Sequence, residues 1–288
     1  MTEWILLALL SAVFSALTSI LAKVGIERVD SNMATAIRTS VVLVMAWLVV
    51  LVVGSAGQIG DISPQSLLFL VLSGLATGGS WLCYFKAIQM GNVNKVAPID
   101  KSSTALTMVL AFILLGEGFS VFSGIGLVAI FIGTMLIIER KDIDETRTDR
   151  RSWLVYAVLS AVFASLTSIL GKVGIEGVES NLGTAIRTVV VLVMAWLVVA
   201  VRRRDAGTSE FTRRNVTFLV LSGLATGASW LCFYGALQTG PASVVVPIDK
   251  LSILLTVVFA TVFLGERMRG RSWIGLAMLV AGTLVLLV

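Results

Sequence analysis

The chain repeats itself once, and each copy holds an odd number of membrane-length segments. SAVFSALTSILAKVGIE beginning at Ser11 returns as SAVFASLTSILGKVGIE beginning at Ser160, an offset of 149 residues. The same offset carries Trp81 to Trp230, Asp100 to Asp249 and Glu117 to Glu266 without insertion. Between turn and charge signals the first copy has apolar runs near 4–22, 34–53, 67–88, 97–115 and 121–138. The second has them near 153–171, 183–201, 216–237, 246–264 and 272–288. Each approaches the ~20 residues that cross the hydrocarbon of a bilayer. Five crossings leave the chain on the side opposite its start, so the second copy must enter the membrane upside down. The pattern predicts an all-α membrane protein of ten helices in two inverted five-helix repeats, 1–139 and 153–288, joined by a polar linker, 140–152.

Composition agrees and removes several chemistries. With 57% hydrophobic and 14% charged residues and a mean hydropathy of +0.97, the chain falls well short of the roughly 25% charge of a soluble domain. The absence of histidine excludes a His-based general base, a Ser-His-Asp triad and imidazole ligation of zinc or haem. Cys83 and Cys232 fall inside apolar segments 149 positions apart, which is neither a disulfide framework nor a metal motif. No phosphate-binding G-x-x-x-x-G-K-[ST] loop is present, which argues against ATP-driven transport by this chain alone. No catalytic residue, metal or cofactor is therefore expected, and no enzyme activity. The start MTEW lacks a basic leader, and the first run continues into a repeated motif, so no cleaved signal peptide is expected.

The 22 lysines and arginines carry orientation. Six form repeat-matched pairs: Lys23 with Lys172, Arg38 with Arg187, and Lys101 with Lys250. The other 16, including Arg28, Lys86, Lys95 and the linker cluster from Arg140 to Arg151, fall on one side of the ten-span arrangement. The positive-inside rule makes that side cytoplasmic and places both termini outside. A net charge of +5 is thus explained by the membrane, with no nucleic-acid partner. Unmatched basic positions diverge between copies, as when Arg28, Lys86 and Lys95 become Gly177, Gly235 and Val244. A duplicated and fused dual-topology ancestor leaves this pattern, and so does an engineered fusion.

The matched charges are the candidate functional residues. VAPIDK, 96–101, and VVPIDK, 245–250, place Asp100 and Asp249 two residues after a proline. As the start of a helix this is a good cap; as an intramembrane carboxylate it is a functional group, and both readings stand. Lys101 and Lys250 would oppose the dipole of a helix starting there, and so call for an anionic neighbour. Lys23 and Lys172 precede Glu27 and Glu176 by four residues, the spacing of a simple surface pair. Their retention in both orientations, like that of Arg38 and Arg187, favours ligand-facing or structural pairing over anchoring.

The third segments carry Gly74, Gly78, Trp81 and Phe85, matched by Gly223, Gly227, Trp230 and Tyr234. Their GxxxG faces predict close helix packing, and the tryptophans, deep in their segments, a cavity wall. Tyr84–Phe85 becomes Phe233–Tyr234, so a pocket shared between the copies would not be chemically symmetric. Ser11, Ser15, Thr18 and Ala22 form a small-residue stripe that predicts packing first and a polar pathway second. LLGE at Leu114 to Glu117 and FLGE at Phe263 to Glu266 end the fourth segments, where the glutamates are expected to order the turn into the fifth.

The five-span unit, PIDK, the LGE turn and the glycine-spaced fifth segments (Gly126 and Gly133; Gly275 and Gly282) together resemble the EamA family of the drug/metabolite transporter superfamily. The resemblance covers both copies, which look like a fused pair of the short single-repeat members. It implies two inverted five-helix bundles, alternating access, and a central cavity lined mainly by the first, third and fourth helices of each copy. The function it implies is secondary-active export of a small polar or zwitterionic metabolite. Asp100 and Asp249 would serve a cation or proton, and Lys101 and Lys250, with Lys23, Lys172, Arg38 and Arg187, a carboxylate or phosphate. Trp81, Tyr84, Trp230 and Tyr234 would form the wall. The alternative is a flippase of a polyprenyl-phosphate-linked or other anionic lipid carrier, since the same cations suit a phosphate. The expected setting is the inner (plasma) membrane, as a monomer or homodimer, with proton coupling open. Neither first segment has the embedded acid on which the small multidrug-resistance relatives rely, so cation exchange of that kind is not expected.

Overall fold

The computed structural model describes residues 3–25, 29–90, 96, 99–137, 152–202, 212–263 and 270–287. Glu27, Pro98, Glu266, most of the linker and the side chain of Phe85 lie outside this set. The first copy contributes α1 (Glu3–Gly25), α2 (Ser31–Val53), a short 3-10 helix (Ser55–Asp61), α3 (Pro64–Met90), α4 (Ser103–Leu114) and α5 (Val121–Ile137). The second contributes α6 (Ser152–Gly174), α7 (Ser180–Arg202), α8 (Arg213–Thr239), α9 (Ala242–Lys250), α10 (Ser252–Phe263) and α11 (Gly270–Val285). No strand occurs among the described residues, and the fold is all-α. Among the described residues seven spans are long and apolar enough to cross a membrane, and α5 and α11, at 17 and 16 residues, are shorter apolar helices.

The distribution of side chains is that of a bilayer protein. Large aliphatic residues face outward, with Val52 87% and Val121 76% exposed, while the hydroxyls of Ser11, Ser73, Ser160 and Ser222 are fully buried. In water this arrangement would leave apolar surface unpaid for; in lipid the outward chains are solvated and the small polar residues let helices approach.

Helices of one copy pack chiefly against the other copy: α1 on α8, α3 on α6, α2 on α7 and α5 on α11. Hydrogen bonds give the direction of two of these pairs. Along α1, Ser11 meets Ser229 and Thr18 meets Thr226, whereas along α3 Ser73 and Thr77 meet Thr167 and Ser80 meets Ser160. The partner number falls as the first rises, so both pairs are antiparallel. Parallel repeats would align first and third helices in one direction; the antiparallel register is the signature of inverted repeats.

Glycine permits the closest approach. A Cβ on Gly133 would lie 2.6 Å from the carbonyl of Gly275, and one on Gly275 would lie 2.6 Å from that of Gly133. The α5–α11 crossing is thus backbone against backbone. The GxxxG faces of α3 and α8 pack as expected, Gly78 against Met194 and Gly227 against Met45. Acidic caps are matched too: Asp30 accepts from the N–H groups of Asn32 and Met33, and Glu179 from those of Asn181 and Leu182.

Two local expectations are corrected. VVPIDK does not start a helix: α9 begins at Ala242, with Pro247 inside it and Asp249–Lys250 at its end. The start lies upstream because Glu117 of the other copy accepts from the N–H groups of Ala242 (2.6 Å) and Ser243 (2.9 Å). These bonds satisfy donors that a helix terminus leaves open. Lys250 consequently complements the C-terminal dipole of α9 and does not oppose it. Glu117, expected to order its own turn, therefore acts across the repeats.

Candidate functional site

The backbone breaks beside the PIDK motifs. Leu251 separates α9 from α10, and Ser102 precedes α4, its hydroxyl donating to the carbonyl of Ile99 at 2.6 Å. Broken helices at mid-span put free backbone groups and charged side chains next to one another, the arrangement that transporters use to build sites. Each carboxylate is then fixed by the first helix of the opposite copy. Ser11 donates to Asp249 at 2.6 Å and Ser160 to Asp100 at 2.8 Å. Each also pairs with its chain neighbour, Lys250 with Asp249 at 3.3 Å and Lys101 with Asp100 at 3.8 Å.

Among the described residues Arg187 is the most buried cation, only 1% exposed. Its Nη2 donates to Thr77 at 2.7 Å and its Nε to Ser73 at 3.3 Å. The guanidinium lies 4.6 Å from the ring centroid of Tyr234 and 5.2 Å from that of Trp230, within cation–π range. Among the described residues no carboxylate pairs with it. Its counterpart Arg38 donates to Thr226, the repeat equivalent of Thr77, at 2.9 Å. The Nε of Arg38 is buried with no partner among the described residues.

A cavity of about 310 Å³ opens between the copies. Its described walls come from α1 (Ser15), α3 (Thr77, Ser80, Trp81), α6 (Ala164, Thr167, Ser168), α7 (Arg187), α8 (Ser229, Trp230, Phe233, Tyr234) and α9 (Asp249, Lys250). Two cations and one carboxylate thus face one space beside four aromatic rings. The excess positive charge suits a ligand with an anionic group, and the rings suit an apolar portion.

Of the residues proposed from sequence, Arg187, Asp249, Lys250, Trp81, Trp230 and Tyr234 meet in this cavity. Asp100, Lys101 and Arg38 are not among its described walls, although their bonds mirror those of their counterparts. Tyr84 also lies elsewhere, packed on the apolar cluster of Ala87, Val96 and Ala157. The exchange of Tyr84–Phe85 for Phe233–Tyr234 moves the phenol by one position, or about 100° around the helix, and only Tyr234 faces inward. Lys23 ends α1 at an exposed position. Lys172 pairs with Glu117 at 3.4 Å and donates to the carbonyl of Gly240, in place of a surface pair with Glu176. The hydroxyls of Thr77, Ser80 and Ser229 were not proposed. Their signal was their place, one turn before or beside the tryptophans in a segment read mainly for its glycines.

The EamA-like transporter family matches the chain twice, over residues 2–139 and 151–288. A protein of a Sinorhizobium species, named as an uncharacterized transporter in the cobO 3' region, is 46% identical over 138 residues. That stretch is 98% of the relative and 48% of this chain, so the relative is about one repeat long. A Bacillus subtilis (strain 168) protein named uncharacterized transporter YxxF is 25% identical over 229 residues, 78% of this chain and 71% of its own. One crystal structure superposes with a TM-score of 0.80 over 99% of this chain and 96% of that one, at 16% identity, a likeness of fold alone.

Proposed function

Because the chain belongs to the EamA-like transporter family and is a multi-pass membrane transporter, we propose that it exports a small polar or zwitterionic metabolite by secondary-active alternating access. Its two inverted repeats rock about the central cavity. The observation that carries this reading is Arg187, a buried cation on the cavity wall held by two hydroxyls and two rings and, among the described residues, by no carboxylate. An intramembrane arginine costs several kcal/mol unless it is compensated, and about 2 kcal/mol of cation–π attraction offsets only part of that. The substrate's carboxylate or phosphate supplies the remainder. Lys250 adds a second donor for that anion, Asp249 takes the substrate's amine or a coupling proton, and Trp81 and Trp230 hold its apolar part. The unmatched basic residues orient the protein in the inner (plasma) membrane with both termini outside, and put the Glu117–Lys172 end away from the cytoplasm.

Reconstitution in liposomes loaded with a mixed metabolite panel tests this. Mass spectrometry should find selective loss of one class of amino-acid-sized anions or zwitterions, and a pH gradient that alters the rate identifies proton coupling. Loss no faster than from empty liposomes, with a lipid phosphate retained by the purified protein in native mass spectrometry, would move the assignment to the lipid-carrier flippase.

A further inference from the structure

A second space lies beside the 310 Å³ cavity, on the next turns of two of its helices. Ser168 on α6 and Tyr234 on α8 line the cavity, and one turn further along the same helices Lys172 and Gln238 line a second space of about 250 Å³, with Leu115 and Glu176. Between the two spaces lies an apolar cluster that includes Tyr234, Leu237, Val245 and Ile169. Tyr234 packs so tightly on Gly171 that a Cβ there would come within 2.5 Å of its ring. Above this plug Glu117 makes three contacts across the repeats: the N–H groups of Ala242 and Ser243, and the ammonium of Lys172. Lys172 completes the ring by donating to the carbonyl of Gly240.

We propose that Glu117 is a positioning residue that latches this gate: bound to the start of α9 and to Lys172, it holds α9, and with it Asp249 and Lys250, against α6, and these bonds break when the cavity opens to the outer space. The geometry supports this over a merely local cap, because one carboxylate joins α4, α6 and α9, drawn from both copies, at the layer separating the two spaces. The link to transport rests on the proposed function; the gate itself can be measured without a substrate.

The test uses the full chain in proteoliposomes, with Cys83 and Cys232 replaced by alanine, Ser168→Cys as the reporter and a membrane-impermeant thiol reagent. Gly57→Cys, in the exposed 3-10 helix at the same end, serves as the orientation control. Glu117→Gln and Lys172→Met should each raise Ser168→Cys labelling about tenfold, the scale of losing a helix cap or a charged hydrogen bond, with no change at Gly57→Cys. Lys172→Arg, which keeps the charge, should leave labelling low. Unchanged labelling in Lys172→Met, a variant that leaves the α9 cap in place and so decides even if Glu117→Gln fails to fold, would overturn the latch. Failed transport with raised labelling would refute the functional reading and leave the gate standing.

Discussion

Arg38 and Arg187 have the same neighbours in sequence and the same bond in space, each donating to the threonine of the opposite copy's third helix. Yet Arg187 faces the cavity under Trp230 and Tyr234, while the Nε of Arg38 is buried without a partner among the described residues. Asp249 and Asp100 repeat the contrast: both accept from a serine of the opposite first helix, and only Asp249 is among the cavity's described walls. Near-identical sequence therefore specifies the same local bonds twice, while the access each set has to the cavity differs between the copies. Under the proposed alternating access such a difference would mark one of two end states, the other being reached when the repeats exchange roles.

The sharpest break of that comparison is removal of both carboxylates. Asp100→Asn with Asp249→Asn should abolish flux in liposomes while the protein stays monodisperse in detergent; unchanged flux would remove the acids from the mechanism. Next comes the α5–α11 seam, where the two copies meet backbone against backbone. Gly275→Leu forces a side chain into a backbone 2.6 Å away and should cost about 1–3 kcal/mol, seen as a lowered Tm, whereas Gly57→Ala, with nothing within 4 Å, should leave Tm unchanged. Smaller again is the loss of one hydroxyl: Thr77→Val should weaken substrate binding about tenfold by releasing Arg187, and Thr226→Val by less, both read as KM in the flux assay. The smallest effect belongs to the phenols. Phe replacing Tyr234 should shift KM by a factor of about three, and Phe replacing Tyr84, which packs outside the cavity, by none.

What the sequence made legible followed from repetition and charge. Two five-segment copies predicted the inverted arrangement, and the serine register along α1–α8 and α3–α6 displays it. Of the matched charges, Arg187, Lys250 and Asp249 line the cavity, while Asp100, Lys101, Arg38, Lys23 and Lys172 are not among its described walls. The start of α9 was not legible, since its cap is a carboxylate 125 residues away in the other copy. A local reading gives Pro247 the role of first residue and misses Glu117. The partner of Lys172 was not legible for the same reason: retention in both copies favoured ligand-facing or structural pairing over a surface pair with Glu176, but the carboxylate it meets, Glu117, belongs to the other copy. The difference between Tyr84 and Tyr234 was visible as an exchange of two letters, but only packing decides which of the two phenols faces inward.

The proposed function is tested most directly at Arg187, as the anion site. Titration calorimetry of the purified protein with the metabolite identified in the efflux assay should give a saturable Kd that Arg187→Met weakens by about 100-fold, the scale of a charged hydrogen-bonded pair, while Arg38→Met changes it by less than about tenfold. Equal binding by wild type and Arg187→Met would contradict the central claim.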